Sequence, residues 1–401
     1  MSNYPDNDAE VIELLRELIR IPSWVSGSSA ARTRQNENKI VEFLEYWLEN
    51  NTSLEIVRQP LPEGRFNLIA RKGEPSMVWL AHTDTVSPSE GAPYDMFAAE
   101  IHDGSIWGLG STDMKSGIAA MLQAIKLTPN ANNFWLFLYA DEEYDFLGMK
   151  WLVSELSSIR PNIIISSDGA DLKLGYGCRG CIELRMRARG TTGHAAKGNG
   201  TSAITGSRES LAALQKWLLQ FLHPKMGKVS LNEAFFLGGT LLPNNKSFSP
   251  EGLLVSVGQH GNKIADIAEF VIDIRPVDDE LRLETVVDFL SQELRSRGLI
   301  PTVVQKTHDL GVWYTMPDRL ESYVQIAQQV VKRQTTDLDH PGNCGYLDLQ
   351  MLWNATGRPD AFMFGGGVGK TAHTPEEHIP ISNLLITRDF FRKVLGRHQS
   401  C

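Results

Sequence analysis

Met77-Val78-Trp79-Leu80-Ala81 runs straight into His82-Thr83-Asp84, and Phe134-Trp135-Leu136-Phe137-Leu138-Tyr139-Ala140 runs into Asp141-Glu142-Glu143. Unbroken apolar runs of this length read as strands buried on both faces. In open α/β sheets, ligands bind just beyond the carboxyl ends of the strands. The chain therefore delivers a histidine and several carboxylates to one rim of one sheet. That arrangement suits a metal-assisted hydrolase.

Outward from these strands, helices and strands alternate. Val11, Ile12, Leu14, Leu15, Leu18 and Ile19 share one face of a helix over 10–20, which Pro22 stops. Ile40, Val41, Leu44, Trp47 and Leu48 mark a second amphipathic helix over 40–48. Strands are expected at 67–70, 77–81, 134–140 and 162–166, with helices over 114–127 and 146–156. Strands separated by helices imply an α/β fold with a largely parallel sheet covered on both faces. After about Gly177 the texture changes. Ile182, Leu184, Met186 and Ala188 alternate with Glu183, Arg185, Arg187 and Arg189, which reads as a half-exposed antiparallel strand. A similar pattern recurs at 268–274, and 283–294 is an amphipathic helix. A helix over 322–332 and a buried strand over 361–364 return to the first style. The expected organisation is a catalytic domain in two parts, 1–178 and 308–401, interrupted by a smaller α+β domain over 179–307.

Bulk composition narrows the class. The 401 residues are enough for one large domain or two with a full core. Apolar content of 42% and charged content of 22% are ordinary for a globular protein. A net charge of −9 argues against a nucleic-acid partner. The polar start has no apolar leader segment, and no stretch approaches the roughly 18 apolar residues of a membrane span. Cytoplasm is the expected location. Of Cys178, Cys181, Cys344 and Cys401, the first two form a C-x-x-C without the second pair of a zinc ribbon. Reduced thiols are the simple reading, and a redox role is the lesser one.

His82, Glu142, Glu143 and Asp168 lie just past three expected strand ends, and His373 lies past a fourth. Asp113 sits in the glycine-rich loop Gly108-Leu109-Gly110-Ser111-Thr112-Asp113. Mixed imidazole and carboxylate donors suit Zn²⁺, or Co²⁺ and Mn²⁺. One carboxylate between two ions can bridge them. Each residue alone has a plainer reading. A histidine after a strand is usually a surface or capping residue, Asp113 could cap a helix, and Asp168-Gly169 could be only a turn. Together they ask five segments to place such residues at one rim by accident. Asp84, two residues after His82, lies on the same side of an extended segment. It can accept the far imidazole N–H and fix the tautomer. The adjacent Glu142 and Glu143 invite a split of roles, one binding metal and the other taking a proton from the attacking water.

His82-Thr83-Asp84-Thr85-Val86, Trp107-Gly108 with Asp113-Met114-Lys115, Asp141-Glu142-Glu143, Asp168, His194 and His373-Thr374-Pro375 together resemble the M20 metallopeptidase family, in order and spacing, over nearly the whole chain. That family contains acetylornithine deacetylase, succinyl-diaminopimelate desuccinylase, aminoacylase and glutamate-type carboxypeptidases. The resemblance implies a zinc-peptidase-like catalytic domain interrupted by a lid domain that also mediates a homodimer. It implies two divalent ions, one held by His82, Asp113 and Asp168, the other by Asp113, Glu143 and His373, with Asp113 as the bridge. It implies Glu142 as general base and Asp84 as the residue that orients His82. His194 would polarise the scissile carbonyl, Arg275 would bind a substrate carboxylate, and Asn262 would lie near the substrate. The implied substrate is an N-acyl amino acid, with a di- or tripeptide or a peptide C-terminus as the alternative. Three stretches depart from the family: Leu109 where arginine is common, the run Lys197-Gly198-Asn199-Gly200 after the lid histidine, and Cys344-Gly345-Tyr346-Leu347-Asp348 near the end.

Gly365-Gly366-Gly367-Val368-Gly369-Lys370-Thr371 mimics a phosphate-binding loop. The true motif needs glycine where Phe364 stands. It also needs a following helix to hold phosphate, whereas Pro375 and Pro380 follow here. The glycines are expected instead to let the backbone turn and aim His373 inward.

Overall fold

The computed structural model describes residues 5–25, 37–332, 338–342 and 346–398. Cys344, Gly345 and Cys401 lie outside the described residues. The chain forms two compact units. One holds Met1–Gly177, Tyr314–His340 and Leu347–Cys401, and the other Cys178–Trp313 with Pro341–Tyr346.

The centre of the first unit is four parallel strands in the order Phe134–Tyr139, Met77–His82, Ile163–Ser166, Asp360–Phe364. Met77, Val78, Trp79, Leu80 and Ala81 are all fully buried, so neither face of that strand meets water. The flanks are antiparallel. A hairpin of Glu55–Leu61 and Arg65–Lys72 adds to the Phe134–Tyr139 side, and Leu174–Gly175 pairs antiparallel with Asp360–Phe364. The 67–70 strand is thus in the sheet, but it runs against its neighbour.

One face of the sheet packs on helices. Trp79, Ala81, Leu136, Leu138, Ile165, Phe362 and Phe364 share an apolar cluster with Leu15, Leu18, Ile118, Leu122, Phe390 and Phe391. Each such burial contributes roughly 1.5–3 kcal/mol. Helix Asp6–Arg20 presents its six apolar residues to this core, with Asp6 and Asp8 in its first turn and Arg20 in its last. Those charges complement the helix dipole. The ammonium of the buried Lys115 donates to the carbonyls of Leu18 at 3.0 Å and Ile21 at 2.8 Å, closing the end of that helix. Helices Lys115–Lys126 and Ile381–His398 share this cluster, as do helices Glu37–Asn51 and Glu321–Val331.

The second unit is a four-stranded antiparallel sheet, in the order Ser230–Gly239, Ile267–Arg275, Cys181–Arg189, Ile300–Leu310. Ile182, Leu184, Met186 and Ala188 pack with Leu211, Leu214, Val286, Leu290 and Leu294 of helices Ala203–Leu218 and Leu283–Ser296. The alternate residues face the other way. There the buried Glu269 carboxylate accepts hydrogen bonds from Arg185 at 2.8 Å and Arg187 at 2.7 Å.

Candidate metal centre

The parallel register aligns the strand ends. His82 stands opposite Tyr139, and Ser166 stands opposite Leu80 and Met363. The chain then turns sharply. Asp141 has φ 68° and His373 has φ 61°, the left-handed region that non-glycine residues rarely enter. Such backbone persists where its surroundings over-determine it, and it clusters at functional sites. Gly365 has its own requirement: a Cβ there would lie 2.0 Å from the Gly169 carbonyl oxygen. Close packing against the Asp168-Gly169 turn, rather than a positive φ, is what that glycine allows.

Two imidazoles and two carboxylates converge. His82 Nε2 lies 2.9 Å from Asp113 Oδ1. His373 Nε2 lies 3.1 Å from Asp113 Oδ2 and 3.1 Å from Glu143 Oε1. The two oxygens of Asp113 thus face different histidines. Donor atoms of His82, Asp113 and Glu143 all fall within 4.8 Å of one another. His82 Nδ1 lies 3.0 Å from the Asp84 carbonyl oxygen and 3.6 Å from its carboxylate. Asp84 therefore holds the ring mainly through its backbone. Its carboxylate accepts the N–H groups of Glu142 and Glu143, each at 3.1 Å.

The charges here are dense for a half-buried site. Burial raises the Asp168 carboxyl to about 8, and the Asp113 charge adds to the shift. Burial lifts Glu142 well above the carboxylate range, with His82 opposing and Asp348, Glu143 and Asp168 reinforcing the shift. Glu143 is raised by burial and by Asp113. Burial also acts on Asp113, but its hydrogen bonds with His373 and His82 outweigh that and hold it well below the usual range. Hydrogen bonds to Asp113 and Glu143 lift His373 to about 10 against its burial. For His82, burial opposes the charge, but Asp113 and Asp84 overcome it and raise the ring well above 6.5. Half-buried Asp113 and Glu143 carboxylates facing imidazole Nε2 atoms, with one ring's Nδ1 already engaged, fit divalent cations in donor type and orientation.

A family model described as peptidase family M20/M25/M40 matches residues 78–397. This chain belongs to that family. The acetylornithine deacetylase of Erwinia tasmaniensis is 26% identical over 402 residues, covering 97% of each chain. The structure of aminopeptidase PepT from Bacillus cereus has a TM-score of 0.71 at 18% identity, covering 97% of this chain and 98% of that one. A dinuclear metal-binding M20 peptidase from Bacillus subtilis has a TM-score of 0.67 at 13% identity, covering 98% and 99%. These two structures share the fold. Membership makes this M20 chain a hydrolase of amide or peptide bonds.

Of the residues expected to act in this M20 enzyme, His82, Asp113, Glu143 and His373 touch directly, and Asp84 braces them. Asp168 and Glu142 join the same electrostatic cluster. The other three lie in the second unit. His194 and Asn262 are exposed neighbours: the Ala195 N–H donates to the Asn262 carbonyl at 3.0 Å, and His194 bridges to Lys263. His194 Nδ1 accepts the Ala196 N–H at 3.2 Å. Arg275 donates to both carboxylate oxygens of Asp273, at 2.8 and 2.9 Å, and lies 4.8 Å from the Tyr346 ring. Residues two apart on a strand point the same way, so the fork expected to take a substrate carboxylate is filled by its own strand.

Two buried carboxylates escaped the sequence reading. Asp348 accepts the Tyr139 hydroxyl at 2.8 Å and is raised by burial to about 7. Glu377 follows His373 by four residues, and that proximity is the one signal that could have pointed to it. The segment after the glycine run forms a three-residue turn, Gly369–Thr371, and then strand His378–Pro380. The helix that a phosphate loop requires does not follow. Among the described residues, no helix is long and apolar enough to cross a membrane.

Proposed function

We propose that this enzyme hydrolyses the amide bond of an N-acyl amino acid, as a deacetylase or desuccinylase does, with Glu142 as general base. The observation that carries the reading is the divergence of two adjacent carboxylates. Asp84 grips both of their amide groups, yet Glu143 reaches His373 while, among the described residues, the Glu142 carboxylate accepts no hydrogen bond. This contrast supports Glu143 as the ligand and Glu142 as the group that transfers the proton.

In this reading His82, Asp113 and Asp168 hold one divalent ion, and Asp113, Glu143 and His373 hold the other. Zn²⁺ suits the donors best, with Co²⁺ or Mn²⁺ as substitutes. Such ions, when bound, activate water and polarise a carbonyl. Glu142 takes the proton of the attacking water on its carboxylate and returns it to the leaving amine. The products are a carboxylic acid and a free amino acid. His194, Asn262 and Arg275 are proposed on the substrate side, where Arg275 exchanges Asp273 for the substrate carboxylate. A homodimer through the second unit and a cytoplasmic location complete the proposal.

The full-length resemblance to acetylornithine deacetylase favours acyl amino acids. A di- or tripeptidase or carboxypeptidase is the second reading. It draws on the solved structures of a tripeptidase and a metallo-carboxypeptidase, whose folds match over 97% and 98% of the chain. A panel of N-acetyl and N-succinyl amino acids against di- and tripeptides separates the two. Glu142→Gln is expected to lower kcat by about 10²–10⁴-fold while the protein still takes up the ions. Retention of more than roughly a tenth of the activity removes Glu142 from that role.

A further inference from the structure

We propose that Glu377 is a positioning residue that holds the Asp113 loop at a fixed distance from the turn bearing His373. Its geometry stands on its own, and its consequence for ion binding rests on the two-ion reading above. Glu377 is 2% exposed. Its Oε1 accepts the N–H of Thr112 at 2.8 Å and of Asp113 at 3.0 Å. Its carbonyl accepts the N–H of Gly108 at 3.1 Å, at the start of the same loop. The Thr112 hydroxyl donates to the carbonyl of His378 at 2.9 Å. Residues 108–113 are thus tied to residues 377–378 at both ends.

The loop needs such a tie. Gly108 and Gly110 have φ of 149° and 82°, backbone that glycine enters without steric cost and that local propensity does not fix. Asp113 must nevertheless aim one oxygen at His82 and the other at His373. Anchoring the Thr112 and Asp113 amides restrains the backbone from which the Asp113 side chain projects, and the partner that anchors them belongs to the segment that carries His373. One carboxylate therefore sets the spacing of two metal-type donors that lie 260 residues apart in the chain. A carboxylate buried beside the negative Asp113 is an unfavourable choice for packing alone. An apolar side chain would fill the space without like-charge repulsion, but it could not accept the two amides.

The test compares wild type, Glu377→Ala and Glu377→Asp as full-length protein. Deuterium uptake of peptides spanning 108–114 is read after chelation, and zinc affinity is read by competition with a chromogenic chelator. Alanine removes the acceptor, and uptake is expected to rise by about tenfold. Zinc affinity should fall by about 10–100-fold, and kcat should fall with little change in KM. Folded Glu377→Ala with wild-type uptake over 108–114 overturns the proposal. Should the alanine variant not fold, the shorter aspartate decides. Faster uptake and weaker zinc binding support the tie, and wild-type values for both overturn it. If wild type itself binds no zinc, the two-ion reading fails while deuterium uptake still decides Glu377.

Discussion

The Asp84 carboxylate accepts the backbone N–H of Glu142 at 3.1 Å, and its second oxygen accepts that of Glu143 at the same distance. One side chain at the end of strand Met77–His82 thereby fixes the loop that follows the neighbouring strand. The same residue holds the His82 ring through its carbonyl. His82, Glu142 and Glu143 are thus held by one residue that is fully buried.

Asp84→Asn keeps the carbonyl contact to His82 but replaces one acceptor oxygen with a donor that opposes an N–H. We expect kcat to fall by about 10–100-fold with ion content preserved. A variant with full kcat would show that the amide grip has no part in turnover.

Ion binding should release protons. His82 and His373 must be neutral to ligate, whereas Asp113 raises His82 well above 6.5 and, with Glu143, lifts His373 to about 10 in the ion-free protein. At pH 7 protons should leave both imidazoles and the Asp168 carboxyl, which burial raises to about 8, and affinity should weaken as pH falls. Calorimetry in buffers of different ionisation enthalpy measures this. A binding heat independent of buffer contradicts it.

Behind the acidic loop, the buried Arg65 guanidinium lies 2.5 Å from Glu37 and 3.1 Å from Asp141. Arg65→Met leaves two buried carboxylates unpaired, and a loss of about 3–5 kcal/mol is expected. Burial raises Glu37 from 4.5 to about 7 with Arg65 opposing. A raised carboxyl favours the folded state below 4.5 and loses that contribution as pH climbs through 7. Without Arg65 the loss is steeper, so the gap between variant and wild type should widen from pH 5 to pH 8. Urea melts across that range test it, and a gap that narrows with rising pH counts against this account.

Cys178 and Cys181 carry no disulfide and are buried, and burial pushes the Cys181 thiol up to about 12. Since the thiolate is the reactive form, Cys181 should alkylate about 10³-fold more slowly at pH 8 in the native protein than after unfolding. Rapid labelling of the native protein would restore the redox reading of this C-x-x-C.

The local signals that proved legible were strong and short-range. Strands Met77–His82 and Phe134–Tyr139 are continuous apolar runs, and their histidine and carboxylate clusters come at once at their ends. Helices Asp6–Arg20 and Leu283–Ser296 carry clean apolar stripes. Elements without such a pattern went unread. Helix Ala203–Leu218 buries Gly206, Ser207 and Ser210, which blur its face. Helix Ile381–His398 buries Arg388, whose charge is answered by Asp8 at 2.6 Å, far away in sequence. The strand Glu55–Leu61 contains Pro60 and little apolar alternation, and it exists because it pairs with Arg65–Lys72.

Sequence alone determined the parallel α/β centre and the residue types on its rim, because burial and strand period act between neighbours in the chain. Tertiary structure decided how those residues are aimed. That Asp84 grips amides rather than mainly the imidazole, that Arg275 is already engaged by Asp273, and that Glu377 holds the Asp113 loop are all matters of distance. Hydrogen bonds act over about 3 Å, and only the folded chain brings residues 113 and 377 that close.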